Sequence, residues 1–130
     1  MITTEAEFTA RKRKSELGQF FTSEDIARFM AAMFRPGSDK RCVLLDAGAG
    51  RGSLSEAFLD RWMSGGFDFE KVQVDAFEID ESLIPDLSSA LEKYNRRRGF
   101  SVRIRNVDFI RASTDRLSGS FFAEQFPRYT

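Results

Sequence analysis

The residues best suited to chemistry in this chain are glycines and carboxylates at the ends of short apolar runs. Val43-Leu44-Leu45 ends in Asp46, and Gly48-Ala49-Gly50-Arg51-Gly52 follows at once. A strand that passes through glycines into a helix lets a ligand approach the backbone and points a helix N-terminus at it. The context, a strand over residues 43–46 and a helix from Ser53, is more specific than glycine spacing alone. The bland alternative is a tight turn that binds nothing. A dinucleotide turn reads G-x-G-x-x-G, with Gly or Ala in the last place; here the spacing is G-x-G-x-G, and Ser53 holds the last place. An acid at Asp46 is unhelpful beside a pyrophosphate and suits a ligand with an ammonium group. S-adenosylmethionine carries an α-amino group, a sulfonium and no phosphate, so the acid turns the reading from a dinucleotide toward that cofactor.

Two further strand ends carry suitable groups. Val72, Val74 and Phe77 mark a second strand that runs into Glu78-Ile79-Asp80. A carboxylate at Glu78, beside the glycine turn in a parallel sheet, can accept both ribose hydroxyls, and Ile79 then lies against the adenine face. Asp80 competes for that role but is better placed to cap the next helix. Val102 and Ile104 alternate with Arg103 and Arg105 in a third strand that leads to Asp108-Phe109. Asp108 can accept from the adenine amino group and Phe109 can pack on the ring; their bland roles are a helix cap and a core aromatic.

The elements that position these groups are legible from periodicity. Residues 4–16 read as a peripheral helix or a loose arm. Ser23 or Thr22 offers a cap, and Ile26, Phe29, Met30 and Met33 recur at helical spacing, which predicts an amphipathic helix over 23–34 that Arg35-Pro36-Gly37 stops. Leu54, Ala57, Phe58 and Trp62 give a second apolar stripe closed by Gly65-Gly66. Ile84, Leu87, Leu91 and Tyr94 give another over about 81–97, with Pro85 tolerable only in its first turn. Residues 114–125, with Leu117, Phe121 and Phe122, predict a last helix. Strand, glycine turn, helix, strand, helix, strand is the grammar of an α/β domain with a short parallel sheet.

Composition narrows the chemistry. The 130 residues hold 20 basic and 20 acidic side chains, so a dedicated nucleic-acid coat is not indicated. The basic runs Arg11-Lys12-Arg13-Lys14 and Arg96-Arg97-Arg98 read first as solvated faces. The chain has no histidine, which removes His-dependent triads and His-ligated metals, and its single cysteine, Cys42, leaves neither a disulfide nor a cysteine cluster. No metal site is expected. A free cysteine, no export signal and no membrane-length apolar stretch predict a cytoplasmic location and no membrane partner.

Together these segments resemble the S-adenosylmethionine-dependent DNA methyltransferases. Leu44-Leu45-Asp46-Ala47-Gly48-Ala49-Gly50-Arg51-Gly52-Ser53-Leu54-Ser55 looks like their cofactor motif, and Glu78-Ile79-Asp80 and Asp108-Phe109 look like their second and third motifs. Upstream, Leu17-Gly18-Gln19-Phe20-Phe21-Thr22-Ser23 is similar to the Gly-Gln-Phe-Phe-Thr-Pro segment of the adenine-specific modification enzymes of bacterial restriction-modification systems, with Ser23 in place of the proline. The resemblance covers about residues 15–110. It implies a truncated Rossmann-like methyltransferase fold with S-adenosylmethionine as cofactor. It also implies that Phe21 and Thr22 line the cofactor pocket, together with Asp46, Gly48, Gly50, Gly52, Glu78, Ile79, Asp108 and Phe109.

The departure is an absence. Those enzymes carry an Asn/Asp-Pro-Pro-Tyr/Phe loop that accepts from the target amine and stacks on the flipped base. This chain has no Pro-Pro, and neither Asn95 nor Asn106 precedes a proline. The expected organisation is an arm over 1–22 and a partial cofactor-binding domain over 23–130. That domain lacks the catalytic loop and any target-recognition domain, and no catalytic residue is expected. DNA would be the partner of the full-length enzyme. Alone, the chain is expected to bind cofactor weakly or not at all and to catalyse nothing. The first strand should have a bare outer edge, covered by a second copy or by the segment around Phe121, Phe122 and Phe126. The rivals are a methyltransferase acting on RNA, protein or a small molecule, a non-catalytic remnant associated with a modification complex, and a nicotinamide-dependent dehydrogenase.

Overall fold

Residues 4–17 and 21–117 are described in a computed structural model of the chain. Three parallel strands form one sheet: β1 (Arg41–Asp46), β2 (Lys71–Phe77) and β3 (Phe100–Arg105), in the order β1-β2-β3. The register pairs Leu44 with Val74 and Val74 with Val102, so all three strand ends finish on the same edge. Consecutive parallel strands need crossovers. Helix α3 (Ser53–Met63) supplies the first, and a 3-10 turn (Glu81–Leu83) running into α4 (Ile84–Glu92) supplies the second.

Strand alternation sends Cys42 and Leu44, Val72, Val74 and Ala76, and Val102 and Ile104 to one face. There they share one core with Phe58, Leu59, Trp62, Leu87, Leu91 and Tyr94. Trp62 is fully buried and satisfies its indole N–H by donating to the Phe69 carbonyl at 2.9 Å. Arg97 lies over that indole at 3.9 Å and donates to the Trp62 carbonyl, which ties the segment that follows α4 to α3. The other face is more polar. Asp75, fully buried there, accepts from Gln73 at 2.8 Å and pairs with Arg103 at 3.3 Å.

The N-terminal part adds α1 (Glu5–Leu17) and α2 (Glu24–Ala32). Ser23 caps α2 through its hydroxyl, which accepts from the Ile26 N–H. At the other end Arg61 reaches over from α3 and donates to the Ala31 and Phe34 carbonyls at 2.8 and 2.6 Å, which ties the end of α2 and the residues just after it to α3. The amphipathic helix expected over 23–34 is present as α2, but its apolar stripe is not the buried face. Helix α2 buries Ala27 and Ala31, while Ile26, Phe29 and Met33 remain more than half exposed. Small alanines let α2 sit close against α3, and the bulkier side chains turn outward.

Two other expectations need adjustment. The helix predicted for 81–97 splits into the 3-10 turn, α4 and a second 3-10 turn (Lys93–Arg96); Pro85 stands at the start of α4, where its missing N–H costs nothing. The last helix, α5 (Phe109–Leu117), begins earlier than the predicted 114–125. The Asp108 carboxylate accepts from Ile110 N–H at 2.9 Å and so nucleates the helix directly after β3. Phe121, Phe122 and Phe126 lie outside the described residues, as do Gly18, Gln19 and Phe20. None of the described helices is long and apolar enough to cross a membrane.

Candidate cofactor site

The loop after β1 is held against the end of β2 by its own backbone. Ala49 N–H donates to the Phe77 carbonyl at 2.9 Å, and Gly52 N–H closes the turn on the Ala49 carbonyl at 2.8 Å. Gly50 and Gly52 have φ of +55° and +90°, values that side-chain-bearing residues rarely adopt. The two do different work. A Cβ on Gly50 would meet the ring of Phe21 at 3.4 Å, whereas one on Gly52 would press on Leu87 at 3.1 Å. Gly50 therefore opens the turn toward the cleft, and Gly52 lets α3 begin close against α4.

Glu78 is the hub of the site. One carboxylate oxygen accepts from Gly50 N–H at 2.7 Å and the other from Asp80 N–H at 2.9 Å. Charge-assisted bonds of this kind are among the stronger ones. Asp80 itself caps the following 3-10 turn, accepting from the Ser82 N–H and hydroxyl at 3.0 and 2.7 Å. Asn106, at the end of β3, donates to the Glu78 and Ile79 carbonyls at 2.9 and 3.1 Å and fixes the course of that stretch.

Asp46 is buried at the end of β1 and accepts from the Ser55 hydroxyl at 2.6 Å. Burial pushes its carboxyl above the usual range, and the charge of Glu78 pushes the same way; the bonds from Ser55 and Gly48 pull it back in part. Only 8% of Asp46 and 7% of Glu78 is exposed. Among the described residues neither carboxylate forms an ion pair. Two neighbouring strand ends thus present buried negative charge with hydrogen-bond support but no cation.

The N-terminal segment closes one side. Phe21, Thr22, Gly48, Ala49, Gly50, Arg51, Ser53 and Leu54 line a small cleft over the glycine turn. The remaining predicted residues stand at the same sheet edge with other partners. Ile79 is half exposed beyond β2. Asp108 caps α5, and Phe109 packs edge-on against Phe77 with centroids 5.1 Å apart. The structure therefore gathers Phe21, Thr22, Gly48, Gly50 and Glu78 around one turn, with Asp46 at its base, while Asp108 and Phe109 are engaged in local structure. Sequence reasoning missed Ser55, Asn106 and Arg51 as contributors. Only Ser55, an alcohol one turn into a helix that follows an acid-tipped strand, carried a local signal. Among the described residues no group of three or more acidic, cysteine or histidine side chains is arranged to hold a metal.

A parallel sheet, a glycine turn opening a helix after β1 and an acid at the end of β2 define a truncated Rossmann-like α/β domain of the methyltransferase kind. The chain is accordingly related in sequence to the type II methyltransferases. It is 43% identical to type II methyltransferase M.BsuBI of Bacillus subtilis over 99 residues, which is 76% of this chain and 19% of that protein. It is 33% identical to type II methyltransferase M.PstI of Providencia stuartii over 109 residues, 80% of this chain and 21% of that protein. Ribosomal RNA small subunit methyltransferase A of Thermotoga petrophila is 35% identical over 102 residues, 78% of this chain and 33% of that protein. The chain thus spans about a fifth to a third of the length of these relatives. No family model matches the chain.

Proposed function

We propose that this chain is the cofactor-binding portion of a DNA adenine-N6 methyltransferase and that the site over the glycine turn is its seat for S-adenosylmethionine. The observation that carries this reading is the pair of buried, cation-free carboxylates, Asp46 and Glu78, at adjacent strand ends beside an open glycine turn. The fit is chemical. A ligand with ammonium and sulfonium groups supplies the positive charge that Asp46 and Glu78 lack, and a phosphate-bearing one does not. Glu78 would accept from the ribose hydroxyls, exchanging or sharing its bond to Gly50. Gly48 and Gly50 would allow the backbone to approach, with Phe21 and Thr22 closing the cleft. Ile79, Asp108 and Phe109 would border the adenine, Asp108 through whatever capacity its helix cap leaves. When bound, the cofactor supplies an already activated methyl group, so the chain's own task is to position it.

The test is a titration followed by NMR. Amide shifts at residues 46–52, 78–80 and 106–109 that saturate with millimolar S-adenosylmethionine are the expected result. The affinity of the isolated chain should be weak, with Kd above about 10 μM. No shift in these residues at saturating concentration would overturn the reading. Incubation with DNA and labelled cofactor should give no methyl transfer, because the chain has no amine-binding Asn-Pro-Pro-Tyr loop.

The similarity to a ribosomal RNA methyltransferase favours a second reading, in which the target is RNA. Methyl transfer by the full-length protein to duplex DNA or to RNA separates the two, and the coding sequence beyond Thr130 tests whether a catalytic loop follows. An Asn-Pro-Pro-Tyr there supports amine methylation as in the restriction-modification enzymes, whereas a stop codon supports a non-catalytic module. The proposal further carries a cytoplasmic location, where the DNA is, and a covered β1 edge. Leu44 and Leu45 on that strand line an apolar cavity of about 130 Å³ with Met30, Phe34, Leu54 and Phe58. A second copy or the C-terminal segment is the expected cover, and light scattering that shows a dimer would distinguish the first.

A further inference from the structure

We propose that Arg51 is a positioning residue, a latch that holds Phe21 and Thr22 over the glycine turn and thereby controls retention of the nucleoside in the cleft; the second half of this statement rests on the cofactor reading above. Arg51 belongs to the turn itself and faces two elements. Its guanidinium carbon lies 4.9 Å from the centre of the Phe21 ring. Its Nε lies 3.6 Å from an Asp86 carboxylate oxygen on α4. The same ring also meets the turn: Phe21 carbons stand 3.4 and 3.5 Å from the place a Cβ would take on Gly50. Asp86, Arg51, Phe21 and Gly50 therefore form a continuous path from α4 to the floor of the cleft.

The contrast with two other guanidinium–ring pairs sets the role. Arg61 lies over Phe67 and Arg97 over Trp62, rings buried in the core, and both arginines also donate to main-chain carbonyls. Those two are braces. The Phe21 ring is 47% exposed, and the Arg51 and Asp86 side chains are 61% and 63% exposed. Contacts of that kind are individually weak and easily reversed. A flat guanidinium that covers a ring and leans on a neighbouring acid suits a closure that must open to admit a ligand. A direct grip on the cofactor would place a fixed cation beside a sulfonium, which is unfavourable; acting through the ring avoids that.

The experiment compares wild type with Arg51→Ala, Arg51→Lys and Phe21→Leu by NMR. Phe21 in its latched position imposes a ring-current shift on the Gly50 α-protons, and Phe21→Leu gives the value without it. Arg51→Ala should move the Gly50 shift at least halfway toward the Phe21→Leu value. Arg51→Lys, which keeps the charge and loses the plane, should fall between. Ser55 and Val74 amides should stay in place and show that the fold is intact. The Kd for S-adenosylmethionine should rise about threefold to tenfold in Arg51→Ala. A Gly50 shift unchanged in both Arg51 variants would overturn the latch. If the Gly50 shift moves as expected but the wild-type chain shows no cofactor response, the closure stands, and the cofactor reading and retention fall together.

Discussion

The division of labour among the turn glycines gives the sharpest test of the site. In Gly52→Ala the new residue must hold φ of +90° while its Cβ stands 3.1 Å from Leu87, which is fully buried. A left-handed conformation costs a non-glycine residue about 1–2 kcal/mol. Displacing a packed leucine adds about 1 kcal/mol, and the stiffer unfolded chain returns about 0.5 kcal/mol. The net loss is about 2 kcal/mol, which for a chain of this size is a fall in Tm of about 6–10 °C. Gly48 is the control within the same turn. Its φ lies outside the left-handed range, and a Cβ there meets nothing within 4 Å. Gly48→Ala should therefore leave Tm within about 2 °C of wild type, yet weaken the response to S-adenosylmethionine by at least about tenfold, since the methyl group occupies the space a ligand would use. Thermal melts and the NMR titration read the two effects separately. Equal loss of stability in both variants would refute the assignment of Gly52 to packing and Gly48 to the cleft. An undiminished cofactor response in Gly48→Ala would remove Gly48 from the site.

Asp46→Asn should raise stability at pH 7 while weakening the cofactor response. The folded-state carboxyl of Asp46 is raised, so the charged form costs the folded protein stability at high pH, and that cost fades as pH falls through the raised value toward the ordinary carboxylate range. Urea melts of both proteins at pH 7 and pH 4 should accordingly show a gap that narrows on acidification; a constant gap would contradict the burial argument. Arg61→Ala removes the donor to two carbonyls at the end of α2 and a guanidinium from the Phe67 ring. It should cost about 1–2 kcal/mol, with hydrogen exchange rising most in α2. Cys42 is buried on β1, and burial pushes its thiol up to about 11. Its labelling by a disulfide reagent at pH 8 should run no faster than opening of the sheet; rapid labelling of native protein would show that β1 is uncovered on both faces.

The strand-turn-helix around the glycines was legible because each part is a local matter. Apolar residues in a short run, glycines where φ must turn positive, and alcohols or acids at helix starts all act within a few residues. The same holds for the Asp80 cap and for the start of α4 at Pro85. Which face of α2 is buried is not legible in the sequence, for a related reason. Helical spacing shows that Ile26, Phe29 and Met33 share a face, but not whether anything lies opposite it; the close fit of Ala27 and Ala31 against α3 chose the other face. The start of α5 differs from the expected 114–125 because Asp108 suits either a ligand group or a helix cap, and in the folded chain the cap sets the helix boundary.

Residue order alone established the parallel α/β plan and the acid at or near each strand tip, and it carried the expectation of a cationic nucleoside. The pairing of those groups belongs to the folded chain. Glu78 reaches Gly50 across 28 residues, and Arg61 reaches Ala31 across 30. Arg51 acquires its roles from Phe21 and Asp86, neither of which is near it in the chain. Spacing encodes what neighbours on one element do. Strand register and helix packing decide which distant side chains meet, because each contact of that kind needs two independently formed elements to be brought to a single distance and angle.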